Sequence, residues 1–243
     1  MKLFIFLFLI LTFTGPLVLI VSGKIDFAAD YRTANRVSAG IAPNPLKFSD
    51  AIVQVYQARA FNWRGIFSVH TWLAIKEKNA PHYMVYQIVG WRYFRNLPPL
   101  IIEKDFPDRF WFDQAPTVIY EATGKKAESI IPKIISAAAR YQFSNEYRTW
   151  PGPNSNTFPA YIAREIPEMK LVLPSNAIGK DYLTNGFFSC TPSHTGYQIS
   201  FYGVLGILIA VDEGIEFNFL GLVYGFSPKM MILKLPGFGD IKI

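Results

Sequence analysis

The stretch Phe67-Ser68-Val69-His70-Thr71-Trp72-Leu73-Ala74-Ile75 decides how this chain folds. Alternation sends Phe67, Val69, Thr71, Leu73 and Ile75 to one side, and Ser68, His70, Trp72 and Ala74 to the other. That period of two is the pattern of a β-strand. Residues 51–57, 83–91 and 117–121 carry similar strand-forming runs of β-branched and aromatic residues. At 125–141 the period changes. Ala127, Ile130, Ile131, Ile134, Ile135, Ala138 and Tyr141 recur at three and four, so an amphipathic helix packs on the sheet, with Pro132 near its first turns or at a kink. Phe158, Ile162 and Ile166 give a second, shorter helical stripe ended by Pro167. Pro159 fits only in its first turn, which puts Ser155 at or beside the cap. The fold class is α+β, an antiparallel sheet with packed helices.

Residues 3–21 carry no charge and follow only Lys2. At roughly 20 residues they match the length of a membrane-spanning helix. Val21-Ser22-Gly23 has the small residues of a cleavage site, so the segment reads as an anchor or as a removed signal peptide; either sends the body across a membrane. Residues 24–50, with Gly40, Pro43 and Pro45, read as a leader into a domain over 51–190. Residues 191–243 form an extension: the apolar, glycine-punctuated runs 197–211 and 215–226, joined by Asp212-Glu213-Gly214, read as a long β-hairpin, buried or lying on a bilayer surface.

Of 243 residues, 51% are hydrophobic and 16% aromatic, which excludes disorder. Cys190 is the only cysteine, so no internal disulfide forms, and no Cys/His cluster points to a metal or other cofactor. An exported chain without disulfides is ordinary for a bacterial envelope. The net charge of +6 is dispersed. With an apolar amino-terminal segment it fits attraction to anionic membrane lipid or envelope polymer, and no motif supports nucleic acid.

Trp150-Pro151-Gly152-Pro153-Asn154-Ser155-Asn156-Thr157-Phe158 reads as a rigid, solvent-facing turn that brings a hydroxyl to a helix N-terminus. Unpaired N–H groups there stabilise an oxyanion, so Ser155 is a candidate nucleophile and Asn154 and Asn156 candidate oxyanion donors. All three are equally turn and cap residues. His70, held mid-strand, is the candidate general base or a strand histidine satisfied by a neighbour; His82 and His194 fall in loops. Trp72, Trp150, Arg64 and Arg148 are candidates for a substrate groove, with aromatic–arginine pairs suited to a carboxylate or phosphate, or to packing at a domain edge. Ile178-Gly179-Lys180-Asp181 sets a cation beside glycine but lacks the rest of a phosphate loop.

The strand histidine of Val69-His70-Thr71-Trp72, followed by Asn154-Ser155-Asn156-Thr157-Phe158, resembles the permuted papain-like superfamily of NlpC-related envelope hydrolases, lecithin:retinol acyltransferases and PPPDE peptidases, with Ser in place of the nucleophilic Cys. From 28 to 240 the chain also resembles an uncharacterised bacterial domain-of-unknown-function family, through Gln54-Val55-Tyr56, Trp63-Arg64-Gly65, His70-Thr71-Trp72, Gly90-Trp91, residues 150–158 and 178–182, and the glycine-rich tail. The superfamily resemblance implies a Ser155/His70 pair, with Gln87 or Tyr86 on the next strand orienting the imidazole. The function so implied is a membrane-tethered hydrolase or acyl-transfer enzyme of the bacterial inner membrane, its body on the extracytoplasmic side, acting on an amide or ester of peptidoglycan or lipid. A serine does not ionise as a thiol does and needs a true general base, so the alternative is a non-catalytic module that keeps the groove for a peptide, glycan or lipid. The enzyme reading requires Ser155 and His70 to meet.

Overall fold

The computed structural model describes residues 2–243. In chain order its elements are helix α1 (Lys2–Val21), strands β1 (Ile52–Arg59), β2 (Val69–Lys76) and β3 (Tyr83–Ile88), and helix α2 (Gly90–Tyr93). Next come β4 (Leu100–Asp105), β5 (Thr117–Thr123), and helices α3 (Gly124–Ala139) and α4 (Thr157–Glu165). A run of strands closes the chain: β6 (Phe188–Cys190), β7 (Gly196–Phe201), β8 (Leu205–Ala210), β9 (Gly214–Phe219), β10 (Leu222–Ser227), β11 (Ile232–Leu235) and β12 (Gly239–Lys242). The protein is α+β, with two antiparallel sheets and few helices.

The first sheet has the order β4-β3-β2-β1-β5. Its central strand β2 is buried on both faces. Val69, Leu73 and Ile75 join a core with Ile130, Ile134, Phe158 and Ile162 of α3 and α4, as the two helical stripes require. Pro132 sits inside α3 without ending it. The other face carries Tyr56, Trp72, Ala74, Tyr83 and Val85 and is covered by Ala42, Phe48 and Trp111. The segment expected as a leader is thus laid over this sheet. Asp108 clamps it, accepting hydrogen bonds from Ser38 Oγ at 2.7 Å and the backbone N–H groups of Ile41 and Ala42 at 2.7 and 3.1 Å.

The expected long hairpin is instead a seven-stranded meander, β12-β11-β10-β9-β8-β7-β6. The run 197–211 turns at Tyr202-Gly203 and 215–226 at Leu220-Gly221, each pair at positive φ. That left-handed pair makes a tight connection between strands, so what looked like two long strands is four.

The alternation of β7, β8 and β9 is reversed relative to an ordinary half-buried sheet. Gln198, Ser200, Leu208, Glu216 and Asn218 are buried, whereas Tyr197, Ile199, Phe201, Leu205, Ile207, Ile209, Ile215, Phe217 and Phe219 are exposed. Inside, Glu216 bridges Lys180 Nζ at 2.5 Å and Lys234 Nζ at 2.6 Å, and Lys180 also meets Asp181 at 3.2 Å. Arg164 of α4 donates to Gln198 Oε1 at 2.6 Å and to the Lys180 carbonyl, tying helix and sheet together.

Among the described residues no helix is long and apolar enough to cross a membrane, so the span expected over 3–21 is not found. α1 instead lies on the outer face of the second sheet. Phe8 packs on Phe219 and Tyr224, Thr12 Oγ1 shares a 2.7 Å hydrogen bond with Tyr224 OH, and Leu19 joins Ile25 and Ile66. Gly15 allows the approach: a Cβ there would stand 2.2 Å from the Pro236 carbonyl oxygen. α1 thereby covers the β10–β12 half of the face and leaves the β6–β9 half open.

Candidate functional site

The decisive turn before α4 is mostly buried rather than solvent-facing: Gly152 to Asn154 and Asn156 to Ala163 lie inside, with Ser155 half-buried between them. Asn154, not Ser155, holds the turn that enters the helix. Its Oδ1 accepts from the backbone N–H groups of Asn156 at 2.9 Å and Thr157 at 3.4 Å. Both Asn154 Nδ2 hydrogens are committed, to the carbonyls of Thr149 and Ile178. Asn156 likewise donates to Val69 O and Ile178 O and accepts from Thr71 Oγ1 at 2.9 Å. The amides expected to hold an oxyanion therefore hold three chain segments together, with no amide N–H left over. Among the described residues the Ser155 hydroxyl makes no hydrogen bond.

Thr71 and Val69 face α4, so alternation turns the His70 side chain to the opposite face of β2. There it stacks on Trp111, with ring centroids 3.6 Å apart, and flanks Trp72 at 5.5 Å. Its Nε2 reaches Gln87 Oε1 at 3.5 Å, which joins it to one of its two expected orienting partners. The other, Tyr86, points into the core beside the helices. Burial pushes the His70 pKa down from 6.5 to about 3, against a small upward pull from Gln87, so the ring is neutral at physiological pH. No hydrogen bond links it to Ser155 among the described residues, though both line one cleft.

That cleft has a volume of about 1110 Å³. Arg32, Arg36, Arg64 and Arg95 line it, with Tyr31, Phe61, Trp63, Trp91, Phe94, Trp111, Phe112, Tyr147 and Trp150 as aromatic walls, and no Asp or Glu contributes. Two of the expected groove residues, Arg64 and Trp150, are in this wall. Trp72 is buried beside a smaller cleft of about 410 Å³, its Nε1 donating to Pro107 O, and Arg148 lines neither. Arg36 stacks on Phe112 at 4.2 Å and Arg64 over Trp63 at 5.0 Å, and among the described residues none of the four arginines forms a salt bridge. Arg32, Arg36, Arg95, Trp91 and Trp111 were not among the groove residues expected from sequence. The aromatic–arginine step that flagged Trp63-Arg64 also occurs at Tyr31-Arg32 and Phe94-Arg95, so following it throughout would have found two of the missing cations.

Fold and site together define a two-sheet α+β protein built around an aromatic, arginine-lined cleft. Residues 50–182 match the model of DUF3750, described as a protein of unknown function, and the chain belongs to that family. No curated protein and no solved structure matches it.

Proposed function

We propose that this protein is a binding module whose cleft takes an amphipathic anion of the lipid class, apolar body against the aromatic walls and carboxylate or phosphate on the arginines. One observation carries the reading: four arginines, without acidic partners among the described residues, stand in a single aromatic-walled cleft. Guanidinium groups stacked on rings and lacking internal counterions match a planar anion by paired hydrogen bonds. The setting we propose is the bacterial envelope, with the body on the outer side of the inner membrane.

The test is displacement of a fluorescent long-chain carboxylate, cis-parinaric acid, from the full chain. The Arg64→Ala/Arg95→Ala pair should weaken binding at least tenfold, and the corresponding long-chain alcohol should bind wild type and variant alike. Equal carboxylate affinity in both proteins would end the proposal.

A second reading is the hydrolase or acyl-transfer enzyme on a permuted papain-like frame. What favours it is the Ser155 hydroxyl, which makes no hydrogen bond among the described residues and stands in the cleft that His70 also lines. Also in its favour, the start of α4 is bonded to Val69 and Thr71 of the histidine strand. Labelling by a fluorophosphonate that is lost in both Ser155→Ala and His70→Ala supports it. Labelling that survives Ser155→Ala removes it.

A further inference from the structure

The open half of the second sheet's outer face does no work inside the protein. Ile207 at its centre is 44% exposed and Phe217 beside it 53%. A contiguous apolar patch of this extent on a soluble surface marks an interaction site. Its reversal is specified by the chain, because the opposite face holds the buried Lys180–Glu216–Lys234 ions and cannot be turned outward.

We propose that this face docks on a lipid bilayer, seating its apolar side chains among the acyl chains of one leaflet. Three features select a bilayer over a second copy or another protein. The patch is continuous with α1 through Phe8 on Phe219, and α1 carries Leu3, Phe6, Ile10, Phe13 and Leu17 exposed around its remaining circumference. A flat protein partner covers a sheet face; a fluid apolar phase covers the sheet and the sides of a cylinder together. At the end of the sheet formed by the β7–β8 and β9–β10 turns, Trp150 and Tyr202 are exposed, amphipathic rings of the kind that sit at headgroup level, and Trp150 Nε1 donates to Leu220 O there. Leu220 and Leu222 belong both to this edge and to the wall of the large cleft, so its unpaired arginines open beside the surface, with a net charge of +6 behind them. That charge complements anionic headgroups. α1 then lies in the interface plane along the sheet. The docking stands independently of which ligand fills the cleft.

The experiment uses the full chain with Cys190→Ser and one new cysteine, Ile207→Cys, carrying an environment-sensitive NBD label. It is reconstituted with equimolar phosphatidylglycerol–phosphatidylcholine vesicles containing nitroxide-labelled lipid. The label at 207 should shift to the blue and be quenched at least twofold, whereas the same label at Glu128→Cys on α3 should remain in water. A water-exposed label at 207 on vesicle-bound protein would show that α1 binds alone and would overturn the proposal. So would shielding at 207 without lipid accompanied by a doubled mass, which assigns the face to a second copy. As a second measurement, Ile207→Glu/Phe217→Glu should lower vesicle partitioning at least tenfold while leaving thermal unfolding and cis-parinaric acid affinity unchanged. Unchanged partitioning also refutes it, without touching the cleft reading.

Discussion

Lowering the pH should destabilise this protein through His70. The imidazole is 3% exposed, stacked on Trp111, and has only a 3.5 Å contact to Gln87 to offset the loss of water. Its pKa is therefore about 3 in the folded protein, against 6.5 in the unfolded chain. The unfolded state binds the proton first as pH falls, so the stabilisation is present above pH 6.5 and is lost between 6.5 and 3. The slope is about 1.4 kcal/mol per pH unit once the unfolded histidine is charged, and from pH 7.5 to pH 5 the loss sums to about 2 kcal/mol. Urea unfolding of wild type and His70→Gln at pH 7.5, 6 and 5 measures it. The variant, with nothing to titrate at this position, should lose about 2 kcal/mol less than wild type over that interval. Parallel losses in the two proteins, or an imidazole NMR titration midpoint near 6.5, would refute the reasoning. That result would also restore His70 as an effective base for Ser155, because a neutral ring that accepts a proton only near pH 3 is a poor general base at pH 7.

Glu216→Gln should cost about 3–5 kcal/mol in urea unfolding, since it leaves Lys180 and Lys234 buried with Asp181 as the one remaining anion; Glu216→Leu/Lys234→Met, which removes charges in a pair, should recover more than half of that. On Lys180 burial pulls the pKa down, but Asp181 and Glu216 raise it more, so it ends above its ordinary 10.5. Its contribution is thus full below that pH and lost as pH rises through the folded value, and a wild-type alkaline transition beginning below pH 9 would contradict this. Asn154→Ala should lower stability by about 2–4 kcal/mol, because the Thr149 and Ile178 carbonyls and the first N–H groups of α4 lose their partner together. Gly179→Ala, at φ +102 with a Cβ 2.3 Å from the Asn154 amide, should cost a similar amount, about 2 kcal/mol or more. The two changes combined should cost less than their sum, the clash having lost its partner; an additive result in a double-mutant cycle would break the link between them.

Strand β2 and helices α3 and α4 were legible because their residues obey one period each, whereas the run 83–91, read as one strand, ends as β3 at Ile88 and turns into α2 at Gly90. Val69 to Ile75 alternates, the isoleucines of α3 recur at three and four, and both patterns bury the apolar set except Ile135, which is exposed. Strand β4 was not legible: Leu100-Ile101-Ile102-Glu103-Lys104-Asp105 lies at the sheet edge, where one side needs no apolar residues and the alternation is lost. The turns of the second sheet were missed because Tyr202 and Leu220, a bulky aromatic and an aliphatic, occupy the left-handed position where Asn or Asp would announce a hairpin. For the site, sequence found the right segment and the wrong division of labour. A short polar run Asn-Ser-Asn offers three possible caps, and only the spatial neighbours Ile178 and Val69 decide which side chains are consumed. The cleft itself gathers residues from 31 to 222, a separation that no local pattern reports.

The orientation of the second sheet turns on a loop that looked uninformative. Alternation along β7 to β9 defines two sets of side chains but not which set is inner, and a one-residue change of facing exchanges them all. Hydrophobicity alone would bury Ile199, Ile207 and Phe217. Against that face, however, lie Lys180 and Asp181 from the loop after α4, and Arg164 from α4 itself. With an apolar inner face Lys180 would keep Asp181 but lose Glu216, and Arg164 would lose Gln198, at a cost of several kcal/mol. Exposing nine apolar side chains to water costs on a similar scale, at about 25 cal/mol per Å². The two penalties are not symmetric. An unpaired buried ion has no remedy inside the fold, whereas an exposed apolar face is relieved by whatever apolar phase meets it. Gly179, at positive φ, lets the loop pass over Asn154, and Lys180 then fixes which side of the sheet faces the protein.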